Sequence, residues 1–434
     1  MMYQETNLKK ESMNLLQSVE KEIKKCVKCG VCRAHCPVFE ELRREPAVAR
    51  GKVALAGAVL TGEIELDDRT YADMSRCLLC GSCVEKCPND VPTDQIVIAA
   101  RQALAQKRGL TSFHKVVSLV LKNRRIMSAG AFVAALLNPL FFRGVPGTSG
   151  LRLRFPLPFI SSNRHFPKIA SKPFLDRHPE VIPGEAGKPR ILYFVGCMTN
   201  FVYPEIGEAA LSLLRNLGCT VIIPKGQECC GFPAMSGGDV GTLSHLAEKN
   251  LATFEKYRPD YIMTACASCG SALQELYPSI LGKMNPELSE RCRAMAEKIV
   301  DAAVLLQRLG FKPEEVTTSR KNVITYHDPC HLRRRKITRE PRQLLRSLAQ
   351  AEFVEMEHAA SCCGLGGTFN AYHYDTSMAI NAPKCDSIRK SGADIVVTGC
   401  PGCMIQIRDG LQQKGIGTKV MHTLEILTLG NFTK

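Results

Sequence analysis

Ten cysteines in the C-terminal part of this 434-residue chain fall into two matched sets of five. Cys197, the adjacent pair Cys229-Cys230 with Gly231, and Cys266-Ala-Ser-Cys269 are answered by Cys330, the pair Cys362-Cys363 with Gly364, and Cys400-Pro-Gly-Cys403. Matching positions lie 133 residues apart for the first three cysteines and 134 for the last two, the mark of a tandem duplication. Five soft thiol donors exceed the four that a tetrahedral zinc ion or a simple iron-sulfur cube takes, and two of them sit on neighbouring residues. The chemistry this predicts is an unusual iron-sulfur centre in each copy, with zinc in the first copy as the alternative.

Eight further cysteines form two runs, Cys26-Val-Lys-Cys29-Gly-Val-Cys32-Arg-Ala-His-Cys36-Pro37 and Cys77-Leu-Leu-Cys80-Gly-Ser-Cys83-Val-Glu-Lys-Cys87-Pro88. CxxCxxCxxxCP is the spacing of two-cluster ferredoxins, in which three cysteines of a run hold one 4Fe-4S cube and the fourth, turned away by the proline, reaches the other. The expected ligand sets are Cys26, Cys29, Cys32 and Cys87 for one cube and Cys77, Cys80, Cys83 and Cys36 for the second. Gly30 and Gly81 suit a backbone that turns closely round a cluster. Structural zinc uses four ligands and has no need of eight cysteines in this arrangement. Cys219, Cys292 and Cys385 have no counterpart in the duplication and read as buried thiols.

These side chains need elements to position them. In each copy a short apolar strand leads into the first cysteine (residues 191–195 and 323–326), a second precedes the Cys-Cys-Gly turn (221–223 and, more weakly, 352–356), and a third delivers the CxxC (260–263 and 394–397). Helical segments separate them. That alternation predicts a short parallel sheet per copy, with the cysteines at strand ends, where open α/β sheets gather their ligands. The fold class expected is α+β multidomain. A helical ferredoxin-like domain spans 1–110, a basic, Pro-rich connector 111–189, and two α/β Cys-Cys-Gly domains 190–310 and 311–434.

The composition, 45% hydrophobic and 23% charged, is that of a globular protein, and the polar first 25 residues carry no signal-peptide pattern, so reduced thiols in the cytoplasm are expected. Most of the net charge of +15 comes from residues 101–190, where sixteen Lys and Arg face three acids, and no carboxylate occurs from 95 to 175. Such a stretch seeks an anionic membrane leaflet or an acidic partner. Nucleic acid is excluded by the lack of a binding motif or of basic-aromatic interleaving. The apolar run 127–142 is short for a spanning helix; with residues 116–125 it reads as a pair of amphipathic helices, lying on a membrane or partner or packed into the protein's own core.

Around Pro46-Ala-Val-Ala-Arg50-Gly51-Lys52, Asp328-Pro329-Cys330-His331-Leu332 and Cys362-Cys363-Gly364-Leu-Gly-Gly-Thr368-Phe-Asn370, the chain resembles the iron-sulfur subunits of glycolate oxidase and the respiratory D-lactate dehydrogenases, over nearly its whole length. Its Cys-Cys-Gly domains resemble those of heterodisulfide reductase, which implies two noncubane 4Fe-4S centres. One would be held by Cys197, Cys229, Cys230, Cys266 and Cys269, the other by Cys330, Cys362, Cys363, Cys400 and Cys403. The resemblance also implies an FAD-containing hydroxy acid dehydrogenase on a partner chain, since no dinucleotide, P-loop or flavin signature occurs here. A quinone or another carrier would take the electrons. Two alternatives stand beside this one, a catalytic subunit of the heterodisulfide-reductase kind and a zinc-stabilised scaffold. Beside Cys330, His327, Asp328 and His331 are candidates to tune a cluster, His331 also to deliver protons, while Arg333, Arg334, Arg335 and Lys336 read as a solvated helix start, with compensation of the cluster's negative charge as the alternative. Gly364-Leu-Gly366-Gly367 reads as tight backbone packing and not as a nucleotide loop.

Overall fold

In the computed structural model, which describes residues 15–145, 150–155, 164–283, 286–313 and 321–428, the sheets follow the duplication. In chain order the strands are β1 (Phe142–Gly144), β2 (Gly150–Leu153), β3 (Phe166–Pro167), β4 (Val181–Ile182), β5 (Arg190–Phe194), β6 (Thr220–Ile222), β7 (Tyr261–Thr264), β8 (Ile299–Asp301), β9 (Asn322–His327), β10 (Ala351–Phe353), β11 (Ile395–Thr398) and β12 (Lys419–His422). The first copy has the spatial order β6-β5-β7-β8 and the second β10-β9-β11-β12, all parallel within these runs. Each copy therefore repeats the order 2-1-3-4. The fourth strand of each is only three or four residues long and has no clear signal in the sequence. β4, from the segment read as connector, adds an antiparallel edge to the first sheet, and β1, β2 and β3 form a separate antiparallel ribbon.

Strands 1 and 3 of each copy are largely buried on both faces because helices cover both. Ile191 to Phe194 and Val396 to Val397 have no exposed surface. In a 2-1-3-4 sheet the crossover direction reverses between strands 1 and 3, which opens a crevice at their carboxyl ends. Phe194 pairs with Thr264 at the end of β5 and β7, and His327 with Thr398 at the end of β9 and β11. Cys197 and Cys266 follow the first pair, Cys330 and Cys400 the second. Topology thus brings the first cysteine and the CxxC of each copy to one crevice.

The ferredoxin-like part is helical and packs on both copies. Thr93–Arg108, its longest helix, is buried over most of its length, and Arg101 on it donates to carbonyls of Met74, Ser75, Cys77 and, across the boundary, Ser236. The arginine run after Cys330 is not solvated. Arg333 donates to Glu85 at 2.8 Å and Ser82 at 2.8 Å, Arg334 pairs with Asp94, and Arg335 donates to Gln274 at 2.7 Å. The expectation of a solvated helix start holds at Lys336, which is exposed, and fails at the three arginines because the groups that receive them belong to other units. The connector does form two helices, Ser112–Lys122 and Arg124–Phe141. His114, Ser118 and Leu121 of the first are buried, whereas the second presents a mostly exposed apolar surface.

Gly366 shows why the glycine string exists. At φ +57° its added Cβ would stand 2.4 Å from Leu78 Cδ2 and 3.1 Å from Leu78 Cα, so the string packs directly on the second CxxC loop. Gly392 has a similar φ of +67° with nothing within 4 Å. Gly392→Ala should cost about 1 kcal/mol, the left-handed penalty alone. Gly366→Ala should cost about 2–4 kcal/mol, since overpacking adds to it; chemical denaturation of the two variants measures the difference.

Candidate metal centres

The eight N-terminal cysteines line two adjoining cavities. Cys26, Cys29, Cys32 and Cys87 line one, beside Arg50, and Cys36, Cys77, Cys80 and Cys83 line the other, beside Lys52 and Asp94. The fourth cysteine of each run thus stands with the other run's triplet, while Cys83, Ala49 and Thr93 border both cavities. The two CxxC loops share an uncommon backbone. Lys28 and Leu79, at the same loop position, have φ +57° and +55°, and Gly30 and Gly81 follow at +89° and +73°. A left-handed non-glycine residue repeated at equivalent sites marks a shape that the site imposes. Cys29 is exposed, and Val27 beside it is 68% exposed, so this first set borders solvent.

In the first Cys-Cys-Gly copy, Cys197 Sγ lies 3.9 Å from Cys229 Sγ, and Cys230 takes hydrogen bonds from the Cys229 and Cys269 thiols, which hold its pKa low. In the second, Cys363 Sγ lies 3.4 Å from Cys403 Sγ, and donors from Cys362 and Cys403 hold Cys363 low in the same way. Cys269 and Cys403, the thiols that donate, are pushed up by the partners they serve. Gly231 and Gly364, at φ +81° and +94°, turn the chain after each cysteine pair. A fully buried asparagine braces each turn. Asn250 donates to Cys229 O at 3.2 Å, and Asn381 donates to Cys363 O at 2.8 Å. Neither asparagine stands out in the sequence, where each is one polar residue in an amphipathic helix.

The sets also touch one another. The Cys80 thiol contacts Cys362, joining the second ferredoxin-like set to the second copy. Cys266 contacts Cys400, its own counterpart in the duplication, so the two copies meet through their cysteine edges much as subunits meet across a twofold. Around this contact Ala267 N–H donates to Gly399 O at 3.3 Å. The symmetric bond would need an N–H at residue 401, which is proline. His422 supplies the replacement, its Nε2–H donating to Ala265 O at 2.9 Å while its Nδ1 accepts from Leu424 N–H. His331 ties the three units together, with Nε2 against Leu79 O at 3.2 Å and Nδ1 against Ser268 Oγ at 3.1 Å. Both its nitrogens are thus engaged in positioning. Cys219, Cys292 and Cys385 are buried in the core.

Buried charge tests whether iron-sulfur clusters fit these cysteines. Lys52 donates to the carbonyls of Pro46 and Asp73, Lys384 to those of His358 and Ala359, and Arg101 only to main-chain carbonyls. All three are buried, and among the described residues none has a carboxylate within ion-pair distance. Burial pulls Lys52 and Lys384 down to about 8, and the neighbouring cysteines, Cys77 first for Lys52 and Cys363 first for Lys384, oppose that shift. An uncompensated buried cation costs several kcal/mol. Thiolate-held clusters of net negative charge remove the deficit, and the soft donor sets suit iron and sulfide. Lys384→Met should shift the potential of the second copy's centre downward in a redox titration and cost about 1–3 kcal/mol in unfolding, because two carbonyls lose their donor.

Comparison with known proteins agrees with this chemistry. A model of a 4Fe-4S dicluster domain matches residues 22–91, and a model of a cysteine-rich domain matches residues 191–274 and 324–408. The probable glycolate oxidase iron-sulfur subunit of Bacillus subtilis is 33% identical, with 94% of each chain covered. A subunit of the fumarate reductase (CoM/CoB) of Methanothermobacter marburgensis is 29% identical over 94% of this chain and 72% of its own. Lactate utilization protein A of a Geobacillus species is 31% identical over 55% of this chain and 98% of its own. A crystal structure of a hypothetical protein from Helicobacter pylori aligns with a TM-score of 0.50 at 10% identity, over 92% of this chain and 70% of that one, a likeness of fold alone.

Proposed function

This chain belongs to the family of the glycolate oxidase iron-sulfur subunits, and we propose on that premise that it carries electrons from an FAD-containing 2-hydroxy acid dehydrogenase chain to a quinone at a membrane. Glycolate and D-lactate are the substrates in view, and the partner chain would choose between them. Cys26, Cys29, Cys32 and Cys87, and Cys77, Cys80, Cys83 and Cys36, are assigned to two 4Fe-4S cubes. The two five-cysteine sets are assigned to noncubane 4Fe-4S centres. Bound there, such clusters would supply one-electron chemistry.

The observation that carries this reading is the serial contact of the cysteine sets. The first ferredoxin-like set borders the second, Cys80 of the second meets Cys362, and Cys400 meets Cys266. The exposed loop at Val27 and Cys29 suits docking of the flavoprotein. At the far end Cys197 and Cys229 share a small cavity with Arg124 and Met127, at the start of the second connector helix. A second cavity joins Cys77 to His114, Tyr372 and His373. Burial lowers both histidines to about 4, so each is a neutral imidazole. His114 spends both ring nitrogens on the hydroxyls of Thr111, Tyr372 and Thr368, whereas His373 meets Ser75 Oγ through Nε2 and is the one whose Nδ1–H suits a quinone carbonyl.

The connector supports membrane docking. Ten of the fifteen exposed large apolar side chains among the described residues lie between Phe113 and Phe141, with Phe132, Leu136 and Leu140 more than 60% exposed. No described helix is long and apolar enough to cross a membrane. An exposed apolar face in a carboxylate-free, basic segment suits the surface of an anionic leaflet, where each Lys or Arg contributes about 1 kcal/mol. A thiol/disulfide acceptor is the second reading, favoured by the facing thiols of Cys266 and Cys400.

Phe132→Glu with Leu136→Glu should abolish co-sedimentation with anionic vesicles, and the unaltered protein should lose binding as salt rises; vesicle binding by the double variant equal to that of the parent contradicts the docking surface. Cys29→Ser should abolish transfer from the reduced flavoprotein to a soluble quinone analogue, and intact transfer contradicts the relay. Disulfide reduction by a reduced viologen without any flavoprotein would establish the second reading instead.

A further inference from the structure

The duplication is broken at one position beside the cysteines. His327 ends β9 opposite Thr398, and the matching place in the first copy, the end of β5 opposite Thr264, is held by Phe194. Phe194 does what an apolar residue should, packing edge-on against Phe254 at 5.8 Å between centroids. His327 is 1% exposed, and neither of its ring nitrogens has a hydrogen-bond partner among the described residues. A buried polar atom left without a partner costs about 1–3 kcal/mol, and this ring carries two. The other histidines near the cysteine sets contrast with it, since His331 and His422 use both nitrogens within the protein.

The surroundings of the ring supply the missing partner. One ring nitrogen, Cys363 Sγ and Cys403 Sγ all lie within 4.8 Å of one another, and the two sulfurs are 3.4 Å apart. Around a tetrahedral metal with bonds of roughly 2.0–2.3 Å, ligand atoms stand roughly 3.3–3.8 Å from each other. Small side-chain shifts bring the three to that spacing. Lys384 faces the same sulfurs, so the site already holds a compensating cation, and a neutral nitrogen donor adds no further negative charge.

We infer that His327 is a nitrogen ligand of the metal centre in the second copy, beside Cys363 and Cys403, and that the two copies hold chemically different centres. The first is all-thiolate, with Phe194 in the equivalent place. The second is mixed. A neutral imidazole beside the thiolates alters the electronics of the second centre and not of the first, so the two centres differ in reduction potential. The second is also the copy that Cys80 touches. The inference rests on the reading that the second five-cysteine set binds metal.

Pulsed EPR on anaerobically purified protein, grown with natural-abundance or 15N-histidine, tests it, alongside iron and zinc counts for the protein and for His327→Phe. The expected result is a strongly coupled histidine nitrogen in the unaltered protein that changes with the isotope and vanishes in His327→Phe, together with a shift of one midpoint potential. Loss of that centre's metal in a folded His327→Phe protein agrees with a ligand role as well. Metal present at the second centre with no strongly coupled nitrogen, or a coupling that survives in His327→Phe, overturns the ligand assignment while leaving the relay intact. A second five-cysteine set without metal in the unaltered protein overturns the inference together with that part of the relay. A zinc count in place of iron at this set, with no paramagnetic signal, likewise overturns it as stated.

Discussion

Lys52, Arg101 and Lys384 are buried cations whose hydrogen bonds go to main-chain carbonyls and whose nearest ionisable neighbours include cysteines. An interior holding three such cations must balance their charge. Without a negative group among the cysteines, each cation is a deficit of several kcal/mol; with thiolate-held clusters, cation and cluster stabilise each other in a low-dielectric setting. The same constraint explains the arginine run after Cys330. Arg333 and Arg334 point into the ferredoxin-like part, where Glu85 and Asp94 take part of their charge and Cys83 lies nearby.

Cysteines at the ends of parallel strands can serve an electron path only if the units carrying them are held edge to edge. Three devices do this. Gly366 lets one loop lie on Leu78, His331 bonds to both neighbouring units at once, and His422 stands in for the N–H that Pro401 lacks. None of the three bears a cluster. Their role is to keep Cys80 against Cys362 and Cys266 against Cys400, and the second ferredoxin-like set occupies the junction where all three units meet.

Much of this was legible in the sequence because the site is made of cysteines at fixed spacing. The repeat interval predicted two equivalent sheets, and the apolar runs before Cys197, Cys330 and Cys266 became β5, β9 and β7, displaced by a residue at most. The fourth strands were not legible. β8 follows the charged helix Pro286–Lys298 without a turn, and its three residues have no periodicity to read. The buried cations were equally hidden, since Lys52 in Ala-Arg-Gly-Lys and Lys384 in Ala-Pro-Lys look like ordinary helix-surface residues, and only packing reveals that they face thiols. His327 stood out as a neighbour of Cys330. Its isolation from every hydrogen-bond partner among the described residues, and its contrast with Phe194, needed the strand register.

Iron and acid-labile sulfide counts on anaerobically purified protein, with EPR during stepwise reduction, decide whether these cysteines hold clusters in series. About 8 iron atoms are expected from the ferredoxin-like cysteines and about 16 when both five-cysteine sets are filled. Spin–spin broadening should appear as neighbouring sets, brought together at Cys80 and Cys362, become reduced together. Stoichiometric zinc with no iron, or iron signals from isolated, non-interacting clusters, would contradict clusters in series.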